Sequence, residues 1–140
     1  MLEALKESVV FSKIRNEDIK KILEETKHEI KKYSPNEQIA FRGDEVKGLY
    51  VILKGRLNTE MLTEEGNVIK IEELVKGDVI ASAFIFGDRN SFPVDLKAKD
   101  KAEVLFIEKK EFLKLLFSKE QILENFLNEI SNKTQLLTTK

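Results

Sequence analysis

Apolar positions along the 140 residues recur with two different periods. From Leu2 to about Lys32 the spacing is three and four, through Leu2, Leu5, Val9 and then Ile19, Ile22 and Leu23. This pattern predicts helices over residues 1–33. Asn16 is expected to cap the second of them, with Glu17 and Asp18 near the positive end of its dipole. Ser34-Pro35-Asn36 then breaks the pattern. Over 34–107 the period becomes two. Ile39/Phe41, Leu49/Val51/Leu53, Leu57/Thr59/Met61, Val68/Lys70 with Ile69/Ile71, Val79/Ile80, Val94/Leu96/Ala98 and Val104/Phe106 read as short strands. Turn signals at Gly43, Gly55, Gly66, Gly77 and Gly87 separate them, and Glu64-Glu65-Gly66-Asn67 marks a hairpin. Short strands punctuated this regularly predict a sandwich, jelly roll or small barrel.

The helical period returns over 108–140. Phe112, Leu115 and Leu116 fit a short helix, and Ser118 is placed to cap a second, with Gln121 completing a capping box. That last helix is about 30 Å long if unbroken. It carries Leu123, Leu127, Ile130, Thr134 and Leu137 in a heptad-like stripe beside a second stripe of Ile122 and Phe126. One stripe is expected to pack on the β unit and the other to meet a partner helix. The alternative is one wide face packed within the chain. Thr138-Thr139-Lys140 carries no helix stop signal, so the helix is expected to continue.

Charge and composition narrow the chemistry. Lys and Arg number 24 against 25 Asp and Glu, and the two signs are interleaved. That is not the basic excess of a phosphate-binding surface. Without cysteine the chain builds no disulfide, thiolate zinc site or iron–sulfur cluster. Residues 1–16 lack a signal-peptide core, and runs such as Val79–Phe86 are too short to span a bilayer, so a cytoplasmic protein is expected. His28 is the one histidine and reads as a solvated side chain. No GxGxxG, P-loop, HExxH or GxSxG occurs. The adjacent glutamates at 24–25, 64–65 and 72–73 have no ligand pattern around them. No catalytic residue, metal site or cofactor is assigned.

Residues 38–56, Gln-Ile-Ala-Phe-Arg-Gly-Asp-Glu-Val-Lys-Gly-Leu-Tyr-Val-Ile-Leu-Lys-Gly-Arg, closely resemble the opening signature of the cyclic nucleotide-binding fold. Val75-Lys76-Gly77-Asp78-Val79-Ile80 and Ala102–Ile107 followed by Lys110-Glu111-Phe112 resemble its later turn, last strand and following helix. The long C-terminal helix is similar to the dimerisation helix of the Crp/Fnr transcription regulators. The resemblance covers nearly the whole chain. It implies one domain over 1–140, mainly β with flanking helices: a double-stranded jelly roll plus a long dimer helix. It also implies a homodimer, and a DNA-binding helix-turn-helix after residue 140.

The departure lies at the ligand. Where the family places a glutamate for the ribose and an arginine for the cyclic phosphate, this chain has Ser82 and Phe92. Phe offers a phosphate no cation or donor, and Pro93 removes a backbone N–H. The expectation is therefore an effector-sensing and dimerisation domain that does not answer to cAMP in the usual way. Its candidate effector residues are Ser82, Phe84, Arg89, Phe92 and Val94, joined by Leu137 and Thr138, which match helix positions that touch the base in family members. Phe84, Phe92 and Val94 either line a more apolar pocket or fill it as core. A small-molecule-binding module of another signalling protein is the alternative. A cupin-like enzyme would need a cluster of histidines that the chain lacks.

Overall fold

The two-residue period is realised as two antiparallel sheets that share one apolar core. The computed structural model describes residues 1–138, Thr138 in its backbone only. The expected reach of the last helix to residue 140 and the expected role of the Thr138 side chain fall outside what is described. The elements are α1 (Leu2–Glu7), a 3-10 turn at Val9–Phe11, α2 (Asn16–Glu25), β1 (Glu29–Tyr33), β2 (Gln38–Ala40), β3 (Gly48–Lys54) and β4 (Leu57–Leu62). Next come β5 (Val68–Leu74), a 3-10 turn at Ser82–Phe84, β6 (Asp95–Ala98), β7 (Ala102–Glu108), α3 (Lys109–Ser118) and α4 (Glu120–Thr138). One sheet has the order β1-β7-β3 and the other β2-β6-β4-β5. This is the expected jelly roll with flanking helices.

β3 shows why the pattern works. Leu49, Val51 and Ile52 are all fully buried, because one face meets the other sheet while α1 and α3 cover its outer side. Its free edge is closed by residues 77–80: Ile52 N–H donates to Asp78 O and Ile80 N–H to Tyr50 O, both at 3.0 Å. The expected strand at Val79/Ile80 is therefore only an isolated bridge to Val51. The turn into β4 needs Gly55, whose φ is +81° and whose Cβ, if it had one, would press on Lys101 O.

Four local expectations need correction. Residues 29–33 form β1 rather than extending a helix. Thr26 is already extended, and the Ile30–Leu105 register lets this segment pair with β7. Asn16 is the first residue of α2 and not its cap. Arg15 occupies that position without a side-chain capping bond, and its carbonyl takes the Asp18 and Ile19 N–H groups at 3.0 Å. Ser118 ends α3 instead of capping α4. Its hydroxyl donates back to Leu115 O at 3.2 Å, and Gln121 donates to Asn125 Oδ1 at 3.0 Å. Phe41 lies outside β2 and is exposed. His28, half-buried at the α2–β1 junction, has Nδ1 2.8 Å from Thr26 O.

The β4–β6 side is tied by a surface ion network. Glu73 accepts from Lys99 and Lys70, each at 3.0 Å, and Arg56 joins Asp100 at 2.6 Å. These lysines, Lys99 foremost, hold the Glu73 carboxyl down to about 2, against an ordinary value of 4.5. A depressed carboxyl stabilises the fold above its unfolded value and stops doing so as pH falls through its folded value. Glu73→Gln should therefore lower stability at neutral pH. The gap from wild type should close between about pH 4.5 and pH 2. Urea titrations across that window check this; a pH-independent gap contradicts it.

Candidate effector-binding site

Two segments of the β unit and one helix enclose the site. After β5 the chain turns sharply at Ala81, which takes the left-handed conformation (φ +49°, ψ +41°) that residues other than glycine seldom adopt. This drives Ser82 inward, where it is buried. From the opposite side comes the 91–94 segment. Phe92 N–H donates to Asp44 O at 2.8 Å and Phe92 O accepts from Gly43 N–H at 2.9 Å, so its main chain is held on both sides. Its ring is buried beside Tyr50, with centroids 6.2 Å apart. Burial pushes the Tyr50 phenol up.

Between these segments lies a cavity of about 170 Å³. Leu74, Val79, Ile80, Phe84, Phe92, Val94 and Leu96 make its walls apolar. Thr59, Ser82, Glu72 and Lys133 supply the polar atoms. The Thr59 hydroxyl accepts from Glu72 N–H at 3.0 Å. The Ser82 hydroxyl donates to Glu129 Oε2 on α4 at 3.3 Å, and Glu129 pairs with Lys133 Nζ at 3.8 Å.

α4 is fixed against the roll by its inner stripe. Ile122 and Phe126 are buried, and Phe126 meets Phe112 edge-on at 4.9 Å and Phe86 at 5.9 Å. The buried amide of Asn125 donates to Val10 O at 2.9 Å and Ser12 O at 2.7 Å. The outer stripe is different. Leu123, Leu127, Thr134 and Leu137 are exposed, and Ile130 is half-buried. A single wide face packed within the chain is therefore not what α4 presents. Exposed Met61, Leu62, Val68, Ile69 and Ile71 on the β4–β5 hairpin form a second apolar surface. There the expected alternation buries Leu57 and Thr59 but not the outer half of the strands.

Of the residues expected at the site, Ser82, Phe84, Phe92 and Val94 come together around the cavity. The two readings of the phenylalanines merge: Phe92 belongs to the core and still leaves space beside it. Arg89 does not join them. It is exposed on the 87–90 segment and lines no part of the cavity, so it supplies no cation there. Leu137 is exposed and likewise outside the lining. Sequence reasoning missed Thr59, Leu74, Leu96 and above all Lys133 as lining residues. Among the described residues no group of three or more His, Cys, Asp or Glu is placed to hold a metal, and no helix is long and apolar enough to cross a membrane.

Residues 30–119 match the cyclic nucleotide-binding domain family, and the chain belongs to it. Its relatives are regulators of the Crp/Fnr type. The cAMP-activated global transcriptional regulator CRP of Salmonella typhimurium is 26% identical over 111 residues, which is 79% of this chain and 53% of that protein. The chain thus spans about half the length of the curated relatives it matches. A transcriptional regulator of Thermotoga maritima is 32% identical, with a TM-score of 0.75 over 88% of this chain and 99% of that one. The sensor domain of the transcriptional regulator DNR from Pseudomonas aeruginosa shares the fold. Its TM-score is 0.78 at 15% identity, covering 99% of this chain and 91% of that one.

Proposed function

We propose that this chain is the effector-sensing and dimerisation part of a cytoplasmic Crp/Fnr-type transcription regulator, and not an enzyme. In this reading two copies pair through the outer stripe of α4, and DNA is contacted by a further helix-turn-helix domain. A net charge of −1 is not that of a chain that grips phosphates by itself. An effector in the cavity would act on α4 through the Ser82–Glu129 contact, shifting the β unit against the helix and so the attached domains. The exposed outer stripe also argues against a monomeric module of another signalling protein.

The observation that carries the effector reading is the cavity itself, open between the β unit and α4 yet walled by Phe92 and Val94. A cyclic phosphate against Phe92 would lose its water and gain no donor from that ring and no backbone N–H from Pro93, and a cavity of about 170 Å³ is small for a nucleotide. Calorimetric titration with cAMP and cGMP should accordingly give a Kd weaker than about 1 mM. Micromolar binding of either would overturn the exclusion of the usual ligand.

A further inference from the structure

We infer that the effector is a compact, mostly apolar carboxylate whose anionic end is taken by Lys133. The inference rests on reading the cavity as the effector site. Size is the first argument. A cavity of about 150 Å³ lined by Leu, Ile and Phe holds benzene. The cavity here, about 170 Å³, is of that class. A single ring or a short branched chain fits it; a nucleotide is far larger.

Charge is the second argument. Lys133 is the one basic side chain in the lining. Its ammonium lies 3.8 Å from Glu129 Oε2, which is an ion-pair separation too long for a hydrogen bond. The lysine side chain is 49% exposed, whereas the Glu129 side chain is 15% exposed and also accepts from Ser82. Glu129 is therefore the anchored member of the pair and Lys133 the movable one. An i,i+4 pair of this kind on a helix is weak. A charge-assisted hydrogen bond to a carboxylate at the edge of an apolar cavity is stronger. The other charged lining side chain, Glu72, is solvent-exposed. The apolar wall of Leu74, Val79, Phe84 and Phe92 would take the rest of the ligand.

Occupancy would then be read directly by α4. Lys133 turns toward the ligand, and Glu129 loses its neighbouring cation and keeps Ser82. Both residues sit on the helix that carries Leu127 and Ile130. The ligand's charge is thus coupled to the outer stripe through side chains of one element.

The test is calorimetric titration of the 140-residue chain with benzoate, phenylacetate and isovalerate, each paired with its neutral amide. At least one acid should bind at least tenfold more tightly than its amide. Lys133→Gln should abolish that preference, weakening the acid tenfold or more and leaving the amide unchanged. Glu129→Gln should move the acid the other way, toward tighter binding, because it removes the competing carboxylate. Thermal melts confirm that both variants fold. Equal binding of acid and amide, or an acid indifferent to Lys133→Gln, would overturn the inference while leaving the cavity an effector site. Failure of all three acids also overturns it. In that case toluene and indole decide the underlying reading: their binding retains the effector site, and its absence removes both.

Discussion

Replacing Leu127 with glutamate is expected to abolish the α4 pairing proposed above and leave a monomer. Leu127 is 54% exposed on α4, between Leu123 and Ile130 on the outer stripe. The inner stripe, Ile122 and Phe126, already anchors the helix to the β unit, so the outer leucines contribute little to folding the single chain. In a two-fold pairing of α4 helices each leucine is used twice, once from each copy. A glutamate there places two carboxylates in the interface without partners. An unpaired buried charge costs about 3 kcal/mol or more, which weakens association at least a hundredfold. The fold should survive, since Glu and Leu have similar helix propensities and the site faces outward. Sedimentation equilibrium of wild type and variant reads the result directly. Phe117→Glu is the control. Phe117 is 83% exposed and lies on α3 rather than α4, so its substitution should leave the pairing intact. A monomeric wild type, or a Leu127→Glu dimer of unchanged affinity, would remove the dimerisation proposal.

That prediction uses a feature legible in the sequence, and the reason is physical. The four-and-three spacing of Leu123, Leu127 and Ile130 is a local property of one helix, readable without knowing what surrounds it. The alternation in β3 and β7 is local in the same sense, as are the turns where Gly43, Gly55, Gly66 and Gly77 all take positive φ. The segment 29–33 was not legible. Ile30 and Tyr33 sit three apart, as on a helix face, and only their pairing with β7, some seventy residues away, selects the extended chain. Lys133 was hidden for a related reason. In sequence it stands among Ser131, Asn132 and Thr134 as part of a polar face. Its place at the cavity depends on how α4 crosses the roll, which Phe126 and Asn125 determine through contacts distant in sequence. Ser82 and Phe92 could be brought to one cavity from the sequence because the family resemblance carries register across the loops, where periodicity carries none. Arg89, three residues from Phe92, shares that loop but not its direction.

Phe126→Ala is expected to be the most destabilising single substitution on α4. Phe126 is 2% exposed and closes an aromatic triad: edge-on to Phe112 at 4.9 Å and to Phe86 at 5.9 Å, with Phe86 and Phe112 stacked at 6.1 Å. The three rings come from α4, α3 and the segment after the Ser82–Phe84 turn, so the triad joins both C-terminal helices to the segment that follows the cavity-lining turn. Truncation removes the transfer energy of a whole ring and leaves a void that backbone elements cannot close. Such changes cost about 3–5 kcal/mol, and the lost edge contacts belong to the upper part of that range. Domains of this size are stable by only about 5–15 kcal/mol, so the variant should lose a large share of its stability. Urea titration should show a markedly lower midpoint with a similar slope. Phe117→Ala, which exposes rather than empties space, should stay within about 0.5 kcal/mol of wild type. The same void frees α4 to shift against residues 82–86, so any ligand response relayed through Ser82 and Glu129 should weaken in the population that remains folded. A Phe126→Ala protein of near-native stability would mean that α4 is held chiefly by Asn125 and Ile122, and that the triad is not what positions the helix over the cavity.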